Sequence, residues 1–294
     1  MNILVTGGAG YIGSAAVKKL IKEGHSVVVI DNLSKGKQKY VDQKAKFYLG
    51  DLMNKEFLSS IFSKFQFDAV MHFAAYKSVG ESMKQPEKYS QNITGTINLL
   101  DCMATFNVKK IVFSSSAAVY GNPEHTPIDE DHSKNPINYY GYTKLACEQV
   151  IEWYSKTKGI VGVCLRYFNV IGDAGLSYIQ EEAEDLYSII NEVSEGKRER
   201  VVIFGNDYDT KDGTCVRDYV ELNDLIKAHI LALTLNCFNI INVGTGEGIT
   251  VLELIKKIEE EKGKKINYEF GNRREGDIII SLASVEKYKK LFKV

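Results

Sequence analysis

The run "VTGGAGYIGSA" (Val5–Ala15) decides how the rest of the chain is read. It follows a β-rich stretch and sets Gly7, Gly10 and Gly13 three residues apart at the start of a helical pattern. A tight turn needs glycine where φ is positive, and phosphate approaches the backbone closely only where Cβ is missing. The helix opening there offers unpaired N–H groups and a partial positive charge to a pyrophosphate. Asp31 ends the next β-rich run, in "VVVIDNL", 18 residues past Gly13. A carboxylate at that place suits the adenosine ribose diol and repels a 2′-phosphate, so the pattern predicts NAD rather than NADP. Alone, Asp31 followed by Asn32 would also serve as turn chemistry.

Outward from this turn, strands are expected at 2–6, 26–30, 46–50, 69–74, 110–115 and 161–166, all nearly continuous hydrophobic runs. Helical periodicity separates them at 11–23, 54–65, 86–106 and 139–158. The alternation predicts an α/β fold, a doubly wound parallel Rossmann-type sheet with right-handed crossovers. After about residue 170 the rhythm breaks. A helix is expected across the acidic run "SYIQEEAEDLYSIINEVSEG" (177–196), a strand at 200–204 and a loop at 205–215. A helix at 219–235, a strand at 239–244 and a helix capped by Thr250 follow. The expected division is a NAD-binding domain, 1–170, and a smaller mixed α/β substrate domain, 171–294, at the carboxyl edge of the sheet, with segments crossing over. Ligands of open α/β sheets bind at that edge.

Composition excludes several classes. The 294 residues carry a net charge of −1, which gives no electrostatic reason to expect nucleic acid or an acidic membrane surface. No stretch approaches the ~20 apolar residues of a membrane span, and the start "MNILVTGG" lacks the pattern of a secretory leader. A cytoplasmic protein is expected. The five cysteines and five histidines are scattered without ligand spacing, so reduced thiols and no metal are expected.

"NYYGYTK" (Asn138–Lys144) offers three tyrosines near one lysine. Residues four apart share a helix face, so spacing from Lys144 selects Tyr140 over Tyr139 and Tyr142. A phenol is a poor base with its ordinary pKa near 10, and a neighbouring ammonium favours the phenolate. Tyr140 is therefore expected to take a proton from a sugar or alcohol hydroxyl. By itself the pattern would equally suit an ordinary surface Tyr–Lys pair. The serines of "VFSSSAAVYG" end the fifth strand, and Ser116 is expected to hydrogen-bond both the reacting hydroxyl and the tyrosine oxygen. In "GDL" (50–52), Asp51 can accept from the adenine amino group.

Together "TGGAGYIG", "FSSSAAVYG" and "YGYTK" resemble the extended short-chain dehydrogenase/reductase class of nucleotide-sugar enzymes, and within it the UDP-glucose (UDP-galactose) 4-epimerases. "HFAAYKSVGESMKQPEKYSQNITGTINLL", "LRYFNVIG", "IFGNDYDTKDGTCVRDYV" and "NRREGD" are similar to that family's further segments, in order, to about residue 290. The resemblance implies that Tyr140 abstracts the sugar 4-hydroxyl proton as hydride passes from C4 to tightly held NAD, which is regenerated each cycle. Ser116 shares the hydrogen bond, and Lys144 holds the nicotinamide ribose and depresses the tyrosine pKa. The 4-keto sugar then turns and is reduced on its other face. Cofactor contacts are implied at Tyr11, Ile12, Asn32, Leu52, Phe73, Ala74, Ala75, Lys77, Asn92, Ser114 and Tyr167, beside the residues above. Contacts to the UDP-sugar are implied at Asn169, Asp185, Leu186, Phe204, Arg217, Arg274, Asp277 and Ser281, together with Ser116 and Tyr140. Without the resemblance, Arg217 and Arg274 would be read as salt bridges to adjacent acids. A homodimer built on 86–106 and 144–158 is also implied.

Three features depart from the family pattern. Segment 172–184 is short and acidic, and Asp185-Leu186 stands where Asn-Leu is common, placing a carboxylate near a diphosphate. Ser281, seven residues past Arg274, replaces the bulky tyrosine of narrow-specificity members, so N-acetylated UDP-sugars are expected as substrates beside UDP-glucose and UDP-galactose. The chain stops at "KKLFKV", where relatives continue, so lower stability or a face covered by oligomer contacts is expected. A 4,6-dehydratase would need an Asp-Glu pair where Ala117-Ala118 stand. A UDP-glucuronate 4-epimerase would share these motifs, because specificity sits in pocket details. A non-catalytic NAD-binding sensor would keep the glycine turn but would have no need of Tyr140, Lys144 and Ser116 together.

Overall fold

The computed structural model describes residues 1–178, 185–274 and 277–293. The chain runs β1 (Asn2–Thr6), α1 (Tyr11–Lys22), β2 (Ser26–Asp31), β3 (Lys46–Leu49), α2 (Lys55–Lys64), β4 (Ala69–His72), α3 (Val79–Lys84) and α4 (Pro86–Thr105). It continues through β5 (Lys110–Ser114), α5 (Tyr139–Lys158), β6 (Val161–Tyr167), β7 (Asn169–Ile171), α6 (Leu186–Ser194), β8 (Val201–Phe204) and β9 (Val216–Glu221). The remainder is α7 (Leu222–Ala232), β10 (Asn239–Val243), β11 (Gly248–Thr250), α8 (Val251–Lys262), β12 (Tyr268–Gly271), β13 (Ile280–Ser281) and α9 (Glu286–Phe292).

Among the described residues, seven strands form one sheet in the order β3-β2-β1-β4-β5-β6-β10, and every neighbouring pair is parallel. Each face is covered. Along β1 the side chains alternate, Leu4 joining the apolar cluster with Leu58, Leu99 and Ile151, while Ile3 and Val5 join the opposite one with Val17 and Leu225. Burying such side chains contributes roughly 1.5–3 kcal/mol each. The order reverses between β1 and β4, and the loops leaving those two strands part there, opening a crevice at the carboxyl edge.

The segment beyond residue 170 is not one block. β10 is the edge strand of the main sheet, and α7 packs on α1 in the same apolar cluster as β1. The rest forms a small sheet around β9, which pairs with β7, β11 and β13, and a parallel pair of β8 with β12. The helix expected at 219–235 is shorter. Tyr219–Glu221 stay extended because they pair with Asn169–Ile171, and sheet pairing overrides their helical periodicity. Thr250 caps α8 through a capping box with Glu253. The acidic helix expected from 177 is described from Leu186; residues 179–184 lie outside the described residues. No helix among the described residues is long and apolar enough to cross a membrane.

Candidate active site

The glycine turn sits at the switch point. Gly7 has φ +72, and a Cβ there would lie 2.5 Å from the Ala74 nitrogen, so the loops after β1 and β4 touch only because it is glycine. Gly10 precedes α1 and gives it no side-chain cap, which leaves the first N–H groups of the helix free for an anion. Asp31 closes β2, accepting from Ala9 N (2.9 Å) and Leu33 N (2.8 Å). Carboxylate oxygens hold further lone pairs, so this anchoring leaves room for a ribose hydroxyl. Burial pushes its pKa up, against those two hydrogen bonds. This donor set and the missing Cβ atoms fit a dinucleotide.

A groove runs from the turn past Asp31, Asn32, Asp51, Leu52, Phe73, Ala74, Ala75 and Asn92. Asp51 is held by Asn32 Nδ2 (2.9 Å) and Met53 N (2.8 Å). Asn92 spends both ends of its amide on the Tyr76 backbone (2.9 and 3.0 Å) and also donates to Thr143, so it shapes the groove wall. Ser34, Lys35, Gly36, Tyr76 and Gln91 line the same groove and are not among the residues expected from the sequence. The signal for the first three was "SKG" (Ser34–Gly36), one residue past Asp31-Asn32.

Beyond the groove lies the start of α5. Asn138 caps it by accepting from Gly141 N (2.8 Å). A Cβ at Gly141 would lie 2.4 Å from the Ala118 carbonyl, so this glycine lets the helix press on the 117–119 turn that follows Ser116. Of the three tyrosines only Tyr140 is buried; Tyr142 is 50% exposed and stacks on Tyr139, whose hydroxyl shares a hydrogen bond with Ser90 (2.7 Å). Burial pushes the Tyr140 phenol up, as does Tyr167, and the hydrogen bond with Ser116 opposes them. The expected depression by Lys144 is therefore not seen in the protein alone. Lys144 Nζ donates to the Ser114 carbonyl (2.7 Å) and lies 5.8 Å from the centre of the Tyr140 ring. Burial pulls Lys144 down to about 8, while Cys147 and Glu148 hold it up.

The three serines part company. Ser114 shares a hydrogen bond with the Tyr167 hydroxyl (2.8 Å), Ser115 turns inward to Glu148 (2.5 Å), and Ser116 faces Tyr140. Tyr11 donates to the Gly172 carbonyl, and Ile12 packs in the core beside Phe73. The side chains of these two hold the turn. Lys77 is exposed.

The chain matches the NAD dependent epimerase/dehydratase family over residues 3–244. It is 49% identical over 286 residues to a UDP-glucose 4-epimerase of Lactobacillus helveticus, covering 94% of this chain and 86% of that one. It belongs to this family. The crystal structure of the Bifidobacterium longum UDP-glucose 4-epimerase in complex with NAD+ and UDP superposes with a TM-score of 0.93 at 36% identity, covering 100% of this chain and 92% of that one. The UDP-Glc/GlcNAc 4-epimerase of Campylobacter jejuni gives 0.87 at 38%, covering 99% and 92%. Family membership makes the protein an NAD-dependent enzyme with the Rossmann-type fold expected from the glycine turn.

The residues expected at the nucleotide-sugar end are dispersed over the small sheets. Arg274 lays its guanidinium 3.7 Å from the centre of the Phe204 ring. Arg217 pairs with Asp277 (2.8 Å), not with its neighbour Asp218. Asp218 instead accepts from Thr245, Gly246 and Ala283, tying β9 to the 244–247 loop and to the segment after β13. Ser281 pairs in register with Arg217. Asn169 starts β7 and is exposed. Asp185 accepts from Ser188 N (2.9 Å) as the cap of α6, and Leu186 packs against the apolar cluster of Ile190, Val201, Ile203 and Leu254. A carboxylate caps a helix as well as an amide does, which accounts for Asp where Asn is common. Within "NRREGD", Glu275 and Gly276 lie outside the described residues.

Proposed function

We propose that the protein interconverts UDP-glucose and UDP-galactose at C4 through a transient 4-keto sugar, with NAD resident in the groove. The observation that carries this reading is the buried Tyr140 beside Ser116 and Lys144, on the helix whose Thr143 accepts a hydrogen bond from Asn92 of the groove wall. Bound NAD supplies reversible oxidation at the sugar carbon.

The protein's own residues handle the proton. Tyr140 takes it from the 4-hydroxyl and returns it, with Ser116 sharing the hydrogen bond so that the proton moves along a short path. Burial alone would keep the phenol protonated, so a cation must offset it, and Lys144 is the ammonium within reach. Arg217 and Arg274 are assigned to the UDP moiety. Arg274 is already oriented by Phe204, and Arg217 by Asp277, so little side-chain freedom is lost on binding. Ser281 leaves room for a 2-acetamido group, which extends the proposed substrates to N-acetylated UDP-sugars. The exposed Tyr142 and Trp153 on α5 support a homodimer formed through α4 and α5, and the protein is proposed to act in the cytoplasm.

NMR of UDP-galactose with purified protein and no added cofactor tests the activity. Epimerisation is expected, and Tyr140→Phe should lower it by at least about 10²-fold, the scale of general-base loss. Cofactor retained without turnover on any UDP-sugar would refute the assignment. Ser281→Tyr should abolish turnover of UDP-N-acetylgalactosamine and spare UDP-galactose; equal retention of both would refute the pocket argument.

A further inference from the structure

Behind the candidate site lies a buried ion pair that the mechanism above does not use. Arg166 donates to Glu148 through Nε (2.9 Å) and Nη2 (2.6 Å), and the two side chains are 1% and 2% exposed. Ser115 donates to the same carboxylate (2.5 Å). The guanidinium also lies 4.8 Å from the centre of the Tyr120 ring, and Nη1 donates to the Glu130 carbonyl (3.4 Å). Replacing a buried ion pair by well-packed apolar residues is often neutral or stabilising, so the fold alone does not require one here. Its three members come from the end of β5, from β6 and from α5. These elements also carry Ser114 and Ser116, Tyr167, and Tyr140 and Lys144.

On α5 the residues Tyr140, Lys144 and Glu148 recur every four positions, so they stack along one face. Lys144 also meets Cys147 from its own helix, Cys164 from β6, the Phe113 ring and Ser114 carbonyl from β5, and His72 from β4. His72 is held neutral by burial, and Glu148 is the carboxylate in this set. Tyr140 in turn meets Ser116, Tyr167 and Tyr89.

We propose that Glu148, Arg166 and Ser115 form a positioning clamp for proton transfer: the clamp fixes the end of β5 against α5, so that Ser116 meets Tyr140, and its carboxylate keeps Lys144 charged beside the phenol. The proposal rests on the assignment of Tyr140 as the base. Without the carboxylate, Lys144 gives up its proton at lower pH, the phenol loses its cation, and the pH at which Tyr140 becomes a base rises.

The test compares wild type, Glu148→Gln, Glu148→Asp and the double variant Glu148→Leu/Arg166→Met, each with its bound cofactor. The measurements are the pH profile of kcat on UDP-galactose, the KM and the thermal midpoint. The tyrosinate ultraviolet band, taken as a difference from Tyr140→Phe, reports phenol ionisation without turnover. For Glu148→Gln the acidic limb of kcat and the tyrosinate titration should both move up by about one pH unit, equivalent to about tenfold in kcat on that limb, with KM within about twofold. Glu148→Asp keeps the charge and should keep the limb. The double variant leaves no unpaired charge, so it should fold even if Glu148→Gln does not, and its limb should stay displaced. A double variant with the wild-type limb and titration overturns the proposal and leaves the pair as a structural contact. Wild type without turnover would instead refute the activity itself.

Discussion

Gly10 and Gly13 are predicted to fail in different ways when each gains a methyl group. At Gly13 a Cβ would lie 2.1 Å from the Gly7 carbonyl oxygen, 2.9 Å from its carbon and 2.9 Å from Gly8 Cα. All three are backbone atoms that cannot rotate away, so α1 must lift off the turn after β1. Overpacking of this kind costs about 1–3 kcal/mol. At roughly 2–4 °C per kcal/mol for a large domain, Gly13→Ala should lower the melting temperature by roughly 2–12 °C without nucleotide. At Gly10 a Cβ meets only the Gly7 carbonyl oxygen, at 3.3 Å, and φ is an ordinary −79. The fold should stay within ~0.5 kcal/mol, but the methyl stands where a phosphate approaches, so NAD affinity should fall at least about tenfold. Thermal unfolding with and without NAD, and calorimetric titration of NAD, separate the two. If Gly13→Ala melts like the wild type without nucleotide, or Gly10→Ala is the more destabilised of the pair, the assignment of one glycine to helix packing and the other to ligand approach is refuted.

Acid stability should be governed by two buried imidazoles. Burial pulls His72 down to about 3, helped by the charge of Lys144, and pulls His229 down to about 4; His229 Nε2 has no hydrogen-bond partner among the described residues. Both pKa values are lowered, so the unfolded chain takes up protons below pH ~6.5 while the folded protein does not, and stability falls as pH falls through the window down to 4. Between pH 6.5 and 5 the loss is about 2 kcal/mol for each, and urea titrations of His229→Leu should show about half the wild-type slope; an unchanged slope would sink this account. At the cap of α6, Asp185→Ala should cost about 1 kcal/mol and Asp185→Asn almost nothing, with KM for the UDP-sugar unchanged in the latter. A tenfold rise in KM for Asp185→Asn would place the carboxylate on the ligand after all.

What the sequence made legible were features fixed by local chemistry or by a regular period. The glycine turn, the alternation of strand and helix and the cap at Thr250 all follow from residues within a few positions of one another, as does the helix face that Tyr140 shares with Lys144. The failures are long-range. Tyr219–Glu221 have helical spacing but are held extended by β7. Arg217 passes over the adjacent Asp218 for Asp277, 60 residues on. The Tyr140 phenol is raised because burial outweighs its neighbours, a quantity that no spacing reveals. Arg166 did give a signal, since a cation inside the apolar run "VGVCLRY" demands a buried partner, but nothing local named Glu148.

The serine run at the end of β5 looks like a repeat of one letter, yet its members answer to three separate parts of the molecule. A library randomised at 114, 115 and 116 should therefore sort into three phenotypes. Losses at Ser114 would loosen Tyr167 beside Tyr140, losses at Ser115 would disturb a buried charge, and losses at Ser116 would slow chemistry in a well-folded protein. Selection for folding, for nucleotide retention and for turnover would each read out a different serine. Three identical neighbours thus carry as much separable information as three unlike ones.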